Sequence, residues 1–229
     1  RAASAAISEL VPGSHFYAEG RRVQIDQVDM KQSEIEEWRF CDQCSHSEPF
    51  SSDDSRSSCP NCGSSMWADE GQKRPMVRLR QVFATTSDRE SRIADDSDER
   101  RPAFYNRQIL VDFDRMAVES AWRLSGEELP FGFEYLRKVT FREINFGEQS
   151  AFGEQVRIAG RDMPRNGFRI CRHCGKVQFG KKTLHTFTCP ARDKEDDSNF
   201  IKTLYLYRDF ASEAVRFLLP VSAMSGEGV

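Results

Sequence analysis

No stretch of this 229-residue sequence stays apolar for more than a few residues, and Phe217 to Pro220 is typical. A membrane-spanning helix needs about 20 such residues, so that class is excluded. There is no bulk charge of either sign: 33 Lys and Arg face 36 Asp and Glu, for a formal net charge of −3. Uniform basicity of the kind that wraps nucleic acid is excluded, whereas a local basic patch is not. No charged-then-apolar leader follows Arg1, only the Ala-rich run Ala2 to Ala6, so the sequence reads as a piece of a longer cytoplasmic chain.

A nucleotide-binding motif is also missing. Gly175 to Lys182 approaches G-x4-G-K-[S/T], but Lys182 stands where the magnesium-binding hydroxyl belongs. The acidic pair Asp98-Glu99 follows no apolar strand. These residues are not expected to hydrolyse ATP, and no catalytic residue is assigned.

What the sequence does have is seven cysteines, six of them in CxxC pairs. An odd count argues against a simple disulfide framework. Cys41, Cys44, Cys59 and Cys62 read C-x2-C-x14-C-x2-C, and Gly63 follows the second pair. Two thiolates three residues apart ligate one ion from a tight turn, which suits tetrahedral zinc. A redox CxxC accounts for one pair but not for two complementary ones.

Cys171, Cys174 and Cys189 need a fourth donor, and His185 offers one in the pattern C-x2-C-x10-H-x3-C. His173 lies inside the knuckle, where its ring is expected to point away. His15 and His46 are read as ordinary surface or core residues. Two closed four-ligand sets imply two structural zinc ions with no open position for catalysis.

Alternating apolar positions predict a mainly β, α+β fold in which two zinc-ribbon or zinc-knuckle elements are inserted in a β-rich domain. Residues 1–37 are expected to form a short helix over 2–10 and a β-hairpin around Glu19-Gly20. The first ribbon spans 38–67, with Trp38 and Trp67 as lids over its metal site, their alternative role being that of base-stacking platforms. A β-rich core spans 68–160, with strands over 76–83 and 106–113. Ile109, Val111 and Phe113 share one face of the latter. A polar loop is expected over 87–101. The second knuckle spans 161–190. Residues 191–229 begin with a polar connector and continue as closing strands, although 212–219 fits a helix equally well.

The second knuckle is locally basic. Arg161, Arg165, Arg169, Arg172, Lys176, Lys181 and Lys182 face Asp162 alone, a net +6. A zinc site of three thiolates and one neutral imidazole carries −1, so one or two cations compensate it and the others remain unexplained. Arg169, Arg172, Lys176, Lys181 and Lys182 are therefore candidate nucleic-acid contacts. Phe168, Phe179 and Phe187 are candidate stacking platforms for single strands. The competing expectation is a protein–protein scaffold without nucleic-acid contact, favoured by an acidic pI near 5.9.

The combination resembles the cysteine-rich zinc-binding region that follows the motor in large bacterial DEAD/DEAH-box helicases. Leu10 to Val23 resembles that family's Pro-Gly…Tyr-x2-Gly-Arg hairpin. Trp38-x2-Cys41-x2-Cys44 with Cys59-Pro-x-Cys62-Gly resembles its first ribbon. Phe141 to Gly147, ending Ile-Asn-Phe-Gly, is similar to its "INFG" strand, and Gly167 to Gly175 to its second knuckle. Leu204 to Pro220 resembles the segment leading to the family's terminal domain. The resemblance implies an accessory region that holds DNA beside an ATP-driven motor, in DNA repair or in phage defence of the DISARM type. Its implied partners are DNA, single- or double-stranded, and the motor lobes of the same parent chain or complex, with no membrane. Both motor lobes are absent from these residues, so ATPase activity is not carried over to them.

Overall fold

The computed structural model describes residues 3–19, 21–86, 105–124, 131–148, 154–181 and 183–218. The fold is mainly β. One helix, α1 (Ala3–Glu9), precedes the strands β1 (His15–Ala18), β2 (Arg21–Val28), β3 (Ile35–Phe40), β4 (Ser47–Pro49), β5 (Lys73–Arg78), β6 (Val82–Thr86) and β7 (Tyr105–Asp112). These are followed by β8 (Val118–Arg123), β9 (Gly132–Glu148), β10 (Gln155–Ile158), β11 (Arg161–Pro164), β12 (Phe168–Cys171) and β13 (Ile201–Leu218). The residues group into two compact units, one of 1–110 with 143–208 and one of 111–142 with 209–229.

In the first unit the principal sheet has the order β4-β3-β5-β13-β9-β7, and β12 also pairs with β13. β5 and β13 run parallel in the register Tyr205↔Met76 and Leu206↔Val77. A strand's side chains alternate between faces. Accordingly Met76, Tyr205 and Tyr207 enter one core cluster with Trp38, Phe40, Leu110, Ile144 and Phe146. Val77, Leu204 and Leu206 enter another with Ile7, Val11, Val28, Phe168 and Ile170. Burial on both faces explains the unbroken apolar run Leu204 to Tyr207. Helix α1 docks through Ile7, whose carbonyl accepts from Asn145 Nδ2 at 3.1 Å.

The hairpin β1–β2 forms with Ala18 opposite Arg21, and β6 adds to its other edge. The single strand expected over 76–83 is instead two. Leu79 N donates to Tyr207 O at 2.8 Å and Gln81 O accepts from Asp29 N at 3.0 Å, so the chain leaves one sheet and joins another within three residues. Unbroken alternation hides such a switch. β7 matches the expected second strand, but the face shared by Ile109 and Val111 is the exposed one, and Gln108 and Leu110 are buried. The polar loop expected over 87–101 lies outside the described residues.

In the second unit β8 pairs antiparallel with β9, with Trp122 opposite Phe133. Trp122 stacks on Phe133 at 4.8 Å between centroids, and Phe217 lies 6.0 Å from Phe131 and 6.5 Å from Phe133. Arg137 pairs with Glu119, and Arg216 with Glu134. The helical alternative over 212–219 is overturned, because β13 continues as one strand to Leu218.

Candidate metal centres

Strand β3 delivers Cys41 directly from its end, and the chain turns back so that Cys41 N donates to His46 O at 3.0 Å. Within that turn the amides of Gln43 and Cys44 point at Cys41 Sγ, at 3.4 and 3.5 Å. The second pair is folded the same way. Gly63 N reaches Cys59 O at 2.8 Å and Cys59 N reaches Ser64 O at 2.9 Å. Gly63 adopts φ 80°, a left-handed conformation that glycine takes without a Cβ penalty. The turn at Ala159-Gly160, between β10 and β11, braces this knuckle by donating to the carbonyls of Cys41 and Asp42 at 2.9 and 2.6 Å.

These turns bring four sulfurs together. Cys41 Sγ lies 3.4 Å from Cys62 Sγ, and Cys44 Sγ lies 3.6 Å from Cys59 Sγ. Tetrahedral zinc with Zn–S near 2.3 Å separates its sulfurs by about 3.8 Å, whereas a disulfide requires about 2.05 Å. The spacing is that of ligands, not of a bridge.

Trp67 is fully buried against Cys41 and Cys59 and closes this centre as expected. Trp38 does not. It packs in the principal core, 5.4 Å from the Tyr207 ring, and its Nε1 donates to Glu36. Strand alternation turns Trp38, like Phe40, to the sheet's core face, three residues before the first ligand. Both indoles are too deeply buried to stack on a base.

The second centre is built from β12, which ends at Cys171, and from the loop that follows. Cys171 Sγ and Cys189 Sγ are 3.8 Å apart, and His185 Nδ1 lies 3.5 Å from both Cys174 Sγ and Cys189 Sγ. The four donor atoms lie within 4.8 Å of one another, as in the first centre. His173 is exposed, with its ring 5.5 Å from Phe200, and takes no part. The knuckle is clamped on β2: Val28 N donates to Gly175 O at 2.9 Å, Val177 N to Asp26 O at 2.9 Å, and Gln27 Nε2 to Cys174 O at 2.7 Å.

Electrostatics show what the clusters need. Burial pushes the Cys41 thiol up. The neighbouring Cys174 sulfur and burial push the Cys171 thiol up, while Cys171 beside it holds the Cys174 thiol well below the usual range. Sulfurs this crowded cannot all ionise without positive charge among them, and a dication supplies it. Four thiolates in the first centre, and three thiolates with one imidazole in the second, both fit zinc with every position filled by protein. Bound there, zinc acts as a structural cross-link.

One residue at this centre has no signal in the sequence. Asp197 is buried, and its Oδ2 lies 3.1 Å from His185 Nε2 and accepts from Thr183 N at 3.2 Å. Burial alone would raise its carboxyl, but those two partners outweigh it and hold the group below the usual carboxylate range. Asp193, Glu195 and Asp196, beside it in the acidic connector, are exposed.

The candidate nucleic-acid contacts are not equivalent. Arg169, Arg172 and Lys181 are exposed. Arg169 faces outward because β12 alternates, with Phe168 and Ile170 turned to the core. Arg172 lies over the Phe200 ring at 6.0 Å. Lys176, in contrast, is half-buried and pairs with Asp26 at 2.5 Å. Lys182 lies outside the described residues. Phe168 is only 6% exposed and is removed as a stacking platform, whereas Phe179 and Phe187 are 55% and 85% exposed.

The fold and its two centres define a mainly β protein with two structural zinc sites. No family model matches the chain, and no curated protein or solved structure matches it. Among the described residues no helix is long and apolar enough to cross a membrane.

Proposed function

We propose that this chain is the zinc-stabilised accessory region of a helicase-like protein, holding nucleic acid beside an ATP-driven motor that lies outside these residues. The observation that carries the reading is the second knuckle. Four metal donors fix its fold, and it presents Arg169, Arg172 and Lys181 to solvent. Phe187 adds an exposed aromatic face, with the Arg192 guanidinium 4.5 Å from its ring centroid. Aromatic and cationic groups on one rigid element are what a single strand stacks on and pairs with. The reading assigns no catalysis to the chain itself. It places the parent protein in the cytoplasm, where unpaired thiols persist, and in DNA repair or phage defence.

Fluorescence anisotropy with labelled single- and double-stranded DNA tests it. Three or four phosphate contacts give a log–log salt slope of roughly −3 and at best micromolar affinity at physiological salt. The Arg169→Glu, Arg172→Glu double variant is expected to weaken binding while both zinc ions stay bound. No binding of the wild-type chain at low salt would overturn the reading.

A second reading, a protein–protein scaffold, is favoured by the second unit. There Trp122 and Phe217 are 49% and 62% exposed, and a cleft of about 340 Å³ opens among Trp122, Phe131 and Leu218. Exposed aromatic clusters of this kind mark interaction surfaces.

A further inference from the structure

We infer that Asp197 is the positioning residue of the second metal centre: it holds the His185 ring so that Nδ1 is the ligand atom, and it strengthens zinc binding there. The inference rests on the two zinc centres and not on the nucleic-acid reading.

An imidazole has two nitrogens, and the bond made by one decides the role of the other. His185 Nδ1 stands 3.5 Å from two cysteine sulfurs, at the donor cluster, while Nε2 stands 3.1 Å from Asp197 Oδ2. With Nδ1 on the metal, Nε2 carries the proton and donates it to the carboxylate. The ring is 1% exposed and the Asp197 side chain 9%. Water is therefore not at hand to replace the carboxylate, and removing it leaves a buried donor unpaired. The same Oδ2 accepts from Thr183 N, which ties the aspartate to the backbone two residues before the ligand. Ring rotation about χ2 breaks the carboxylate bond and withdraws Nδ1 from the sulfurs together.

The carboxylate also enriches the ring in electron density, which makes Nδ1 a better donor. Outer partners of this kind are typically worth about 10- to 100-fold in metal affinity. The donor pattern then extends to C-x2-C-x10-H-x3-C-x7-D, ending at Asp197. The first centre is all cysteine and has no ring to orient, so the effect is confined to the second.

The test is zinc retention by the full chain against a graded chelator series, with Asp197→Asn and Asp197→Ala beside the wild type. Asn keeps the side chain's size and one acceptor but loses the charge. It is expected to weaken one of the two ions by roughly 10-fold and leave the other unchanged, with Ala weakening that ion further. Nitrogen-detected NMR of the histidine rings supplies a signature that general destabilisation does not move. Wild-type His185 is expected to show a metal-shifted Nδ1 and a slowly exchanging Nε2–H, and Asp197→Ala is expected to lose that protection. Ligation through Nε2, or an unchanged second ion in Asp197→Asn, overturns the role of Asp197. A wild-type chain that binds a single ion overturns the second centre itself.

Discussion

A Cβ placed on Gly175 would lie 1.7 Å from the carbonyl oxygen of Val28. The second knuckle therefore meets β2 backbone against backbone, with room for no side chain between them. Gly175 also adopts φ 74°. Gly175→Ala is expected to cost at least about 2 kcal/mol, since it combines a left-handed backbone with a steric clash. Denaturant unfolding checks this, and a loss under about 0.5 kcal/mol would show that the close approach is not made.

Metal content should be two zinc ions per chain. Substituting His185 with Ala is expected to release one ion and leave the all-cysteine centre loaded. Elemental analysis returning one ion from the wild type, or two from the variant, sinks the assignment. Chelation is expected to lower the melting temperature sharply, because structural zinc binding contributes on the order of 10 kcal/mol to folding.

The two buried indoles separate by what they support. Trp67→Ala and Trp38→Ala each remove a large buried ring and are expected to cost about 3–5 kcal/mol. Only Trp67→Ala should speed zinc loss from the first centre, because Trp67 alone covers Cys41 and Cys59. Chelator-driven release kinetics of both variants provide the measurement; equal release rates would contradict it.

Among the cations, Lys176 is expected to behave as a structural residue. Lys176→Met breaks the pair with Asp26 and should lower stability with little change in DNA affinity. Arg169→Glu should do the reverse. Anisotropy titrations and thermal melts on both variants decide it, and a loss of DNA affinity in Lys176→Met equal to that of Arg169→Glu would return Lys176 to the binding surface.

Legibility in the sequence followed the range of the interactions. Cys41 and Cys44, like Cys171 and Cys174, announce a metal by spacing because a knuckle is made within a few residues. His185 could be paired with Cys189 for the same reason. Asp197 could not, since its partner lies 12 residues away and nothing local distinguishes it from its exposed acidic neighbours. Periodicity found β7 but left its buried face open, because Ile109 and Leu110 are equally apolar and only the packing decides between them. The +6 around the second knuckle overstated the free charge. Lys176 meets Asp26 from 150 residues away, and Arg165 meets Glu154.

The clamp between Gln27 and Cys174 joins residues 147 apart in the chain. On a ribosome adding about 5–20 residues per second, β2 waits roughly 7 to 30 s for the knuckle that will cover it. The four ligands of the first centre fall within the 22 residues from Cys41 to Cys62, so they can gather on a metal soon after emergence. The two ligand sets are therefore completed at different times in synthesis, the second only once Cys189 has emerged.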